Sequence, residues 1–132
     1  MDRQLLRNVG VIGGGFEEVC VSVPGEIVAA DQYYSYAAKY ENVDSQTIVP
    51  ADLPDEKAEE IRGIAAKIFK AVNGRGLARV DFFIENDTQK VFFNEINTMP
   101  GFTGISMFPK VWEACGLPMP ELIDRLIISA CI

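Results

Sequence analysis

Two short stretches of this chain hold residue types that could do chemistry together: Ala78-Arg79-Val80-Asp81 and Phe93-Asn94-Glu95-Ile96-Asn97-Thr98-Met99-Pro100-Gly101. Each belongs to a run rich in aromatic and β-branched residues, Leu77 to Ile84 and Val91 to Ile96. The polar segment Glu85-Asn86-Asp87-Thr88-Gln89 between them predicts two strands and a turn. Side chains two apart on a strand share a face, so Arg79 and Asp81 point one way, and Glu95 and Asn97 do likewise on the neighbour. Pairing around the turn sets Asp81 opposite Glu95 and Arg79 near Asn97; a one-residue bulge would break that register. Like carboxylates about 4 Å apart repel. Two carboxylates and an amide oxygen instead suit Mg²⁺, a hard cation that keeps several waters and takes further ligands from phosphate. Arg79 beside them can neutralise charge developing on a carboxyl or phosphoryl oxygen. Taken singly, each residue is more often a surface salt-bridge partner; the set on adjacent strands points to a metal and an anion.

Pro100-Gly101 leads through Phe102-Thr103-Gly104-Ile105-Ser106 into a helix. Backbone N–H groups at such a start can hold a carboxylate or an oxyanion. Ser106 reads equally well as an ordinary helix N-cap. The run Gly13-Gly14-Gly15 has neither G-x-G-x-x-G nor the G-K-[ST] ending of a phosphate loop, which favours a hairpin turn. Trp112, at helical spacing, reads as core.

These residues need a scaffold. Val9 to Ile12 and Glu17 to Val23 read as strands around the three glycines. Pro24-Gly25 reads as a turn, and Ile27 to Ala30 and Tyr33 to Tyr36 as short strands. Tyr40 to Ser45 reads as an exposed loop, mobile or functional. Pro54 then opens the strongest helix, with Asp55 and Glu56 at the positive end of its dipole. Its apolar stripe is Ala58, Ile61, Ile64, Ala65, Ile68 and Val72, and Gly74 and Gly76 end it. Phe108 to Ala114 is a short helix stopped at Gly116. Pro120 opens a last one that buries Leu122, Ile123, Leu126 and Ile127. The expected class is α+β, a mainly antiparallel sheet with helices packed on one face.

The bulk properties exclude several functions. The chain has 132 residues, enough for one domain spanning residues 1–132, and 48% of them are apolar. Twelve basic against nineteen acidic residues give a net charge of −7 and no basic stripe, which argues against a nucleic-acid surface. Histidine is absent, so Ser-His-Asp and Cys-His catalysis and most zinc sites are excluded within the chain. Cys20, Cys115 and Cys131 read as reduced core thiols of a cytoplasmic protein. No apolar run reaches membrane-spanning length and no signal-peptide h-region is read, so a soluble, intracellular protein is expected.

The motifs Ala-Arg-Val-Asp-Phe-Phe, Asn-Glu-Ile-Asn-Thr-Met-Pro-Gly-Phe-Thr and Ser-Met-Phe-Pro-Lys-Val-Trp, with Val-Pro-Gly-Glu-Ile and Ala-Lys-Tyr upstream, resemble the D-alanine–D-alanine ligase family from about Val23 to Ile128. The resemblance implies the C-terminal part of an ATP-grasp domain and marks the two opening stretches as a magnesium–nucleotide segment. It implies Asp81, Glu95 and Asn97 as ligands of two Mg²⁺ (or Mn²⁺) ions, with Glu95 bridging. It implies Lys39, Asn94 and Glu95 as ATP contacts, Lys39 touching the transferred phosphate. Arg79 and the Gly101 N–H would stabilise a tetrahedral intermediate, Ser106 and Met107 would hold the carboxylate of the second D-alanine, and Tyr40 would belong to an active-site lid. The partners implied are ATP and D-alanine, with no nucleic acid or membrane, and a homodimer for a full-length parent.

Family members are longer, with an N-terminal domain and a glycine-rich phosphate loop not found here, so an excised domain without activity of its own is expected. Met1 to Gly15 aligns poorly, Leu6 or a neighbour stands where a ribose-binding glutamate is usual, and Gly104 where a serine is common. Ligases making D-alanyl-D-serine or D-alanyl-D-lactate are the related alternatives, Tyr40 favouring an amino-acid acceptor. A non-catalytic Mg²⁺-binding or scaffold domain is the alternative of another class.

Overall fold

A computed structural model describes residues 4–28 and 47–131, with side chains from residue 6 onward. The strands are β1 (Gln4–Gly14), β2 (Glu17–Val21), β3 (Gly25–Ile27), β4 (Thr47–Ile48), β5 (Arg75–Glu85) and β6 (Val91–Asn97). The helices are α1 (Asp55–Ala71), α2 (Met107–Glu113) and α3 (Met119–Ala130). The strands form one sheet in the order β4-β3-β1-β5-β6, every pairing antiparallel. On one edge, β1 pairs β3 through Leu6 to Asn8 and β2 through Val11 to Gly14; its other edge runs along the whole of β5.

The glycine run closes the β1–β2 hairpin. Gly13, Gly14 and Gly15 have φ of 103°, 86° and 64°, and a Cβ on Gly13 or Gly14 would collide with the carbonyl oxygen of Glu18 or Gly74. Three consecutive positive φ angles are a turn only glycine forms cheaply. β1 begins at Gln4, earlier than Val9, because Leu6, Arg7 and Asn8 already pair with both β3 and β5. The third strand covers Gly25–Ile27, starting earlier than Ile27; Ala29 and Ala30 lie outside the described residues. Tyr33 to Tyr36, the Tyr40 to Ser45 loop, Lys39 and Tyr40 lie outside the described residues.

The helices occupy both faces of the sheet, not one. Val9, Val11, Ala78, Val80, Phe82 and Ile84 pack with Ile61, Ala65 and Phe69 of α1. Ile12, with Leu77 and Cys20 against it, packs with Phe108, Val111, Trp112 and Leu122 of α2 and α3. Val11 and Ile12 are neighbours, as are Leu77 and Ala78, and successive side chains of a strand point to opposite faces. A sheet with apolar residues on both faces needs cover on both.

Within α1 the buried line is Ile61, Ala65 and Phe69, at four-residue spacing, while Val72 is 54% exposed. Val72 is the C-cap, one residue past the end of the helix. Its stop is Asn73, left-handed at φ 55°, one residue before Gly74. Arg62 fastens it to the sheet by donating to the carbonyls of Val21 and Ser22 at 3.0 and 3.1 Å. On α3, Leu122 is buried but Ile123 and Ile127 are exposed, because α2 covers only one side of that helix. Cys115 and Cys131 are exposed rather than core, Cys20 is half-buried, and all three are free thiols. Arg7 and Glu26 face each other across β1 and β3 as a buried ion pair at 2.5 Å, and burial lowers the Arg7 pKa despite the Glu26 charge.

Gly10 lets α2 approach the sheet. A Cβ there would stand 2.6 Å from Trp112 Nε1 and 3.1 Å from Val111 Cγ2. Gly10→Ala is therefore expected to destabilise the fold by about 1–3 kcal/mol. Gly63, exposed on α1 with nothing within 4 Å of its virtual Cβ, is expected to gain about 1 kcal/mol on replacement by Ala. Urea denaturation of the two variants checks both signs.

Candidate active site

Asp81 stands opposite Glu95 and Arg79 opposite Asn97, and on the other side of β5 Asn8 pairs with Asp81 and Gly10 with Arg79. Register partners share a face, so Asn8, Asp81 and Glu95 form one row and Gly10, Arg79 and Asn97 the next. This is the face that α2 covers further along, at Ile12 and Leu77.

A bulge makes this register rather than breaking it. From the turn, Ile84 pairs with Val91, Phe83 with Phe92 and Phe82 with Phe93; the next pair is Asp81 with Glu95. Asn94 is the extra residue, without a partner on β5. Straight continuation would have set Asn94 opposite Asp81 and turned Glu95 to the α1 face. The bulge returns Glu95 and Asn97 to the face of Asp81 and leaves Ile96 against the α1 core.

Asp81 is 1% exposed. A carboxylate so far from water costs several kcal/mol unless paired and hydrogen-bonded. Arg79 donates to it in two places, Nε to Oδ1 and Nη2 to Oδ2, both at 2.9 Å. Asn8 Nδ2 adds a third bond to Oδ1 at 2.5 Å. The hydrogen bond to Asp81 raises the Arg79 pKa above its ordinary value, outweighing desolvation, with the Asp81 and Glu95 charges adding to the rise. Glu95 differs. Its side chain is 55% exposed and lies 3.7 Å from Arg79 Nη2, an ion pair beyond hydrogen-bond length.

Asn97 Oδ1 accepts from the Met99 N–H at 2.9 Å, an Asx-type turn that sets the chain's exit from β6. Pro100 is buried, and Phe102 packs on Phe108 with ring centroids 5.7 Å apart, which ties the Pro100–Ser106 loop to α2. Ser106 occupies the N-cap position of α2 without capping it. Its Oγ instead accepts from the Thr103 N–H at 3.0 Å and meets Thr103 Oγ1 at 2.7 Å. A Cβ on Gly101 would come within 3.0 Å of that Oγ. Gly101, Ser106 and Met107 thus share one loop-to-helix junction, with the Met107 side chain buried beneath it.

Among the described residues no three Cys, Asp or Glu side chains gather as a ready metal cage. The donor set is two carboxylates and one amide oxygen. Asp81 Oδ2 receives a single donor, Glu95 has open oxygens, and the Asn97 carbonyl retains a second lone pair. That fits a cation which completes its shell with water and phosphate. Sequence reasoning missed Asn8. The available signal was its place in an apolar run two residues before Gly10, but β1 had been started at Val9.

The sheet, its two helix layers and this row of polar side chains define the C-terminal half of an ATP-grasp domain. Residues 7–128 match the family described as D-ala D-ala ligase C-terminus, and the chain belongs to that family. The match begins at Arg7, so most of the stretch read as poorly aligned lies within it. The D-alanine–D-alanine ligase of Caldicellulosiruptor bescii is 54% identical over 116 residues, 88% of this chain and 32% of that protein. That of Acetivibrio thermocellus is 52% identical over 113 residues, 86% of this chain and 30% of that protein. Among solved structures, the D-alanine–D-alanine ligase of Coxiella burnetii superposes with a TM-score of 0.79 at 41% identity, covering 98% of this chain and 32% of that one. The VanG D-Ala:D-Ser ligase of Enterococcus faecalis gives 0.76 at 29% identity, over 96% of this chain and 36% of that one. The chain spans about a third of the length of these relatives. Among the described residues no helix is long and apolar enough to cross a membrane.

Arg79→Leu leaves the buried Asp81 carboxylate with Asn8 as its one partner among the described residues, and a loss of about 1.5–3 kcal/mol is expected from denaturant unfolding. An unchanged midpoint would mean that Arg79 does not compensate the buried charge.

Proposed function

We propose that this chain is the C-terminal catalytic part of an ATP-dependent D-alanine–D-alanine ligase, acting in the cytoplasm in peptidoglycan precursor synthesis. The observation that carries this reading is the row Asn8–Asp81–Glu95 beside Arg79–Asn97, in a chain of this family. The γ-phosphoryl group of ATP passes to the carboxylate of one D-alanine, releasing ADP. The amine of a second D-alanine then attacks the acyl carbon; the C–N bond forms and phosphate leaves.

Asp81, Glu95 and Asn97 would hold two Mg²⁺ (or Mn²⁺) ions, Glu95 being the exposed carboxylate of the set. The ions would supply neutralisation of the phosphate oxygens during transfer. Asp81 uses two of the five N–H groups of Arg79, leaving three to meet the oxyanion with the Gly101 N–H. Asn94, set on the bulge beside Glu95, faces the nucleotide in this reading. Ser106 and Met107 receive the carboxylate of the second D-alanine at the loop-to-helix junction. Lys39 and Tyr40, to which the resemblance gives a phosphate contact and a place in the lid, lie outside the described residues. The likeness to the D-Ala:D-Ser ligase keeps D-serine as the competing acceptor.

Exchanging residues 7–128 for the matching third of the Caldicellulosiruptor bescii ligase tests the reading. A folded chimera is expected to make D-alanyl-D-alanine in preference to D-alanyl-D-serine. Glu95→Gln in that chimera should lower kcat by more than about a hundredfold, since even outer partners of metal ligands cost 10–100-fold. A folded, nucleotide-binding chimera without ligase activity would sink the assignment. The purified 132-residue chain, given ATP, Mg²⁺ and D-alanine, is expected to make no dipeptide.

A further inference from the structure

We propose that Asn8 is a positioning residue that sets the orientation of the Asp81 carboxylate, an inference that rests on the metal-site reading above. Asn8 is 1% exposed, and its side chain meets Asp81 across the β1–β5 register, Nδ2 to Oδ1 at 2.5 Å. The amide cannot be turned the other way, because its oxygen would then face the carboxylate oxygen with no proton between them. The orientation that serves Asp81 leaves Asn8 Oδ1 buried with no partner among the described residues. A buried unpaired carbonyl is a cost, so Asn8 is a poor choice as mere core filling.

The two donors on Asp81 act on different degrees of freedom. Arg79 grips both oxygens from along the same strand, a fork that fixes the carboxylate plane but whose long side chain is 21% exposed. Asn8 is short, buried and rooted in the neighbouring strand, so it holds Oδ1 from the side. With Oδ1 receiving two donors and Oδ2 only one, Oδ2 is the oxygen left to face the Glu95 side of the patch. Asn8 thereby decides which oxygen of Asp81 is offered outward, without itself touching substrate.

Asn8→Leu keeps the branched four-heavy-atom shape, with somewhat larger methyl groups, and removes the donor. Two measurements on the full 132-residue chain decide the proposal. In Mn²⁺ titrations followed by electron paramagnetic resonance, the variant is expected to bind about tenfold more weakly than the parent chain, the scale of a lost outer-shell partner. Equal affinities would overturn the proposal while leaving the metal reading intact, as would a loss of stability with unchanged Mn²⁺ affinity, the signature of a purely structural role. No Mn²⁺ binding by the parent chain would count against the metal reading instead. The crystal structure of Asn8→Leu then decides the orientation alone: a rotated or split Asp81 carboxylate supports the proposal, and a single carboxylate in its original conformer overturns it.

Discussion

A carboxylate sits on an interior strand of this sheet where water does not reach it. Asp81 lies on β5, flanked by β1 on one side and β6 on the other, and its carboxylate is tolerated only through the guanidinium of Arg79 and the amide of Asn8. An isolated buried carboxylate would take up a proton or unfold its surroundings. Here the compensation comes from two strands at once, so the charge also fixes how β1 and β5 meet. Glu95, across the other side of β5, is exposed and, among the described residues, has only the 3.7 Å ion pair to Arg79. One carboxylate is clamped and its neighbour is open, and that difference is what makes the pair useful toward a cation.

The bulge at Asn94 is the second constraint. β6 must serve two masters: the Phe92–Phe83 and Phe93–Phe82 pairs near the turn, and the polar row further on. These demand opposite phases of the two-residue alternation, and one unpaired residue reconciles them. Phe93 and Phe82 remain edge-to-face at 6.3 Å, and Ile96 still reaches the α1 core. The same strand thus contributes to packing on one face and to the site on the other.

Much of this was legible in the residues. Arg79 with Asp81, and Glu95 with Asn97, were placed on one face of their own strands by alternation, the glycine run was read as a hairpin and Trp112 as core, because each rests on a local rule. The readings that failed depend on what lies across space. Val72 and Ile127 continue an apolar period, yet a helix buries only as much of its stripe as the facing sheet covers. The cysteines looked like core because their neighbours in sequence are apolar, which says nothing of where a helix end or a loop comes to rest.

By itself, the sequence determined the three helices, the β1–β2 and β5–β6 hairpins, the residue types of the candidate site and, through the long Asn94–Thr103 motif, the family. It also determined that Arg79 and Asp81 share a face of one strand, and Glu95 and Asn97 a face of the next, since alternation is a property of the chain. Tertiary structure decided the rest: helices on both faces, the bulge that turns the pairing of Asp81 and Glu95 from an assumption into a register, and the place of Asn8. Asn8 acquires its role only because β1, some seventy residues away in the chain, runs beside β5 and brings a buried amide to 2.5 Å from a buried carboxylate. Hydrogen bonds between distant strands have no period to read, and burial, which gives them their weight, exists only once the sheet and both helix layers are in place.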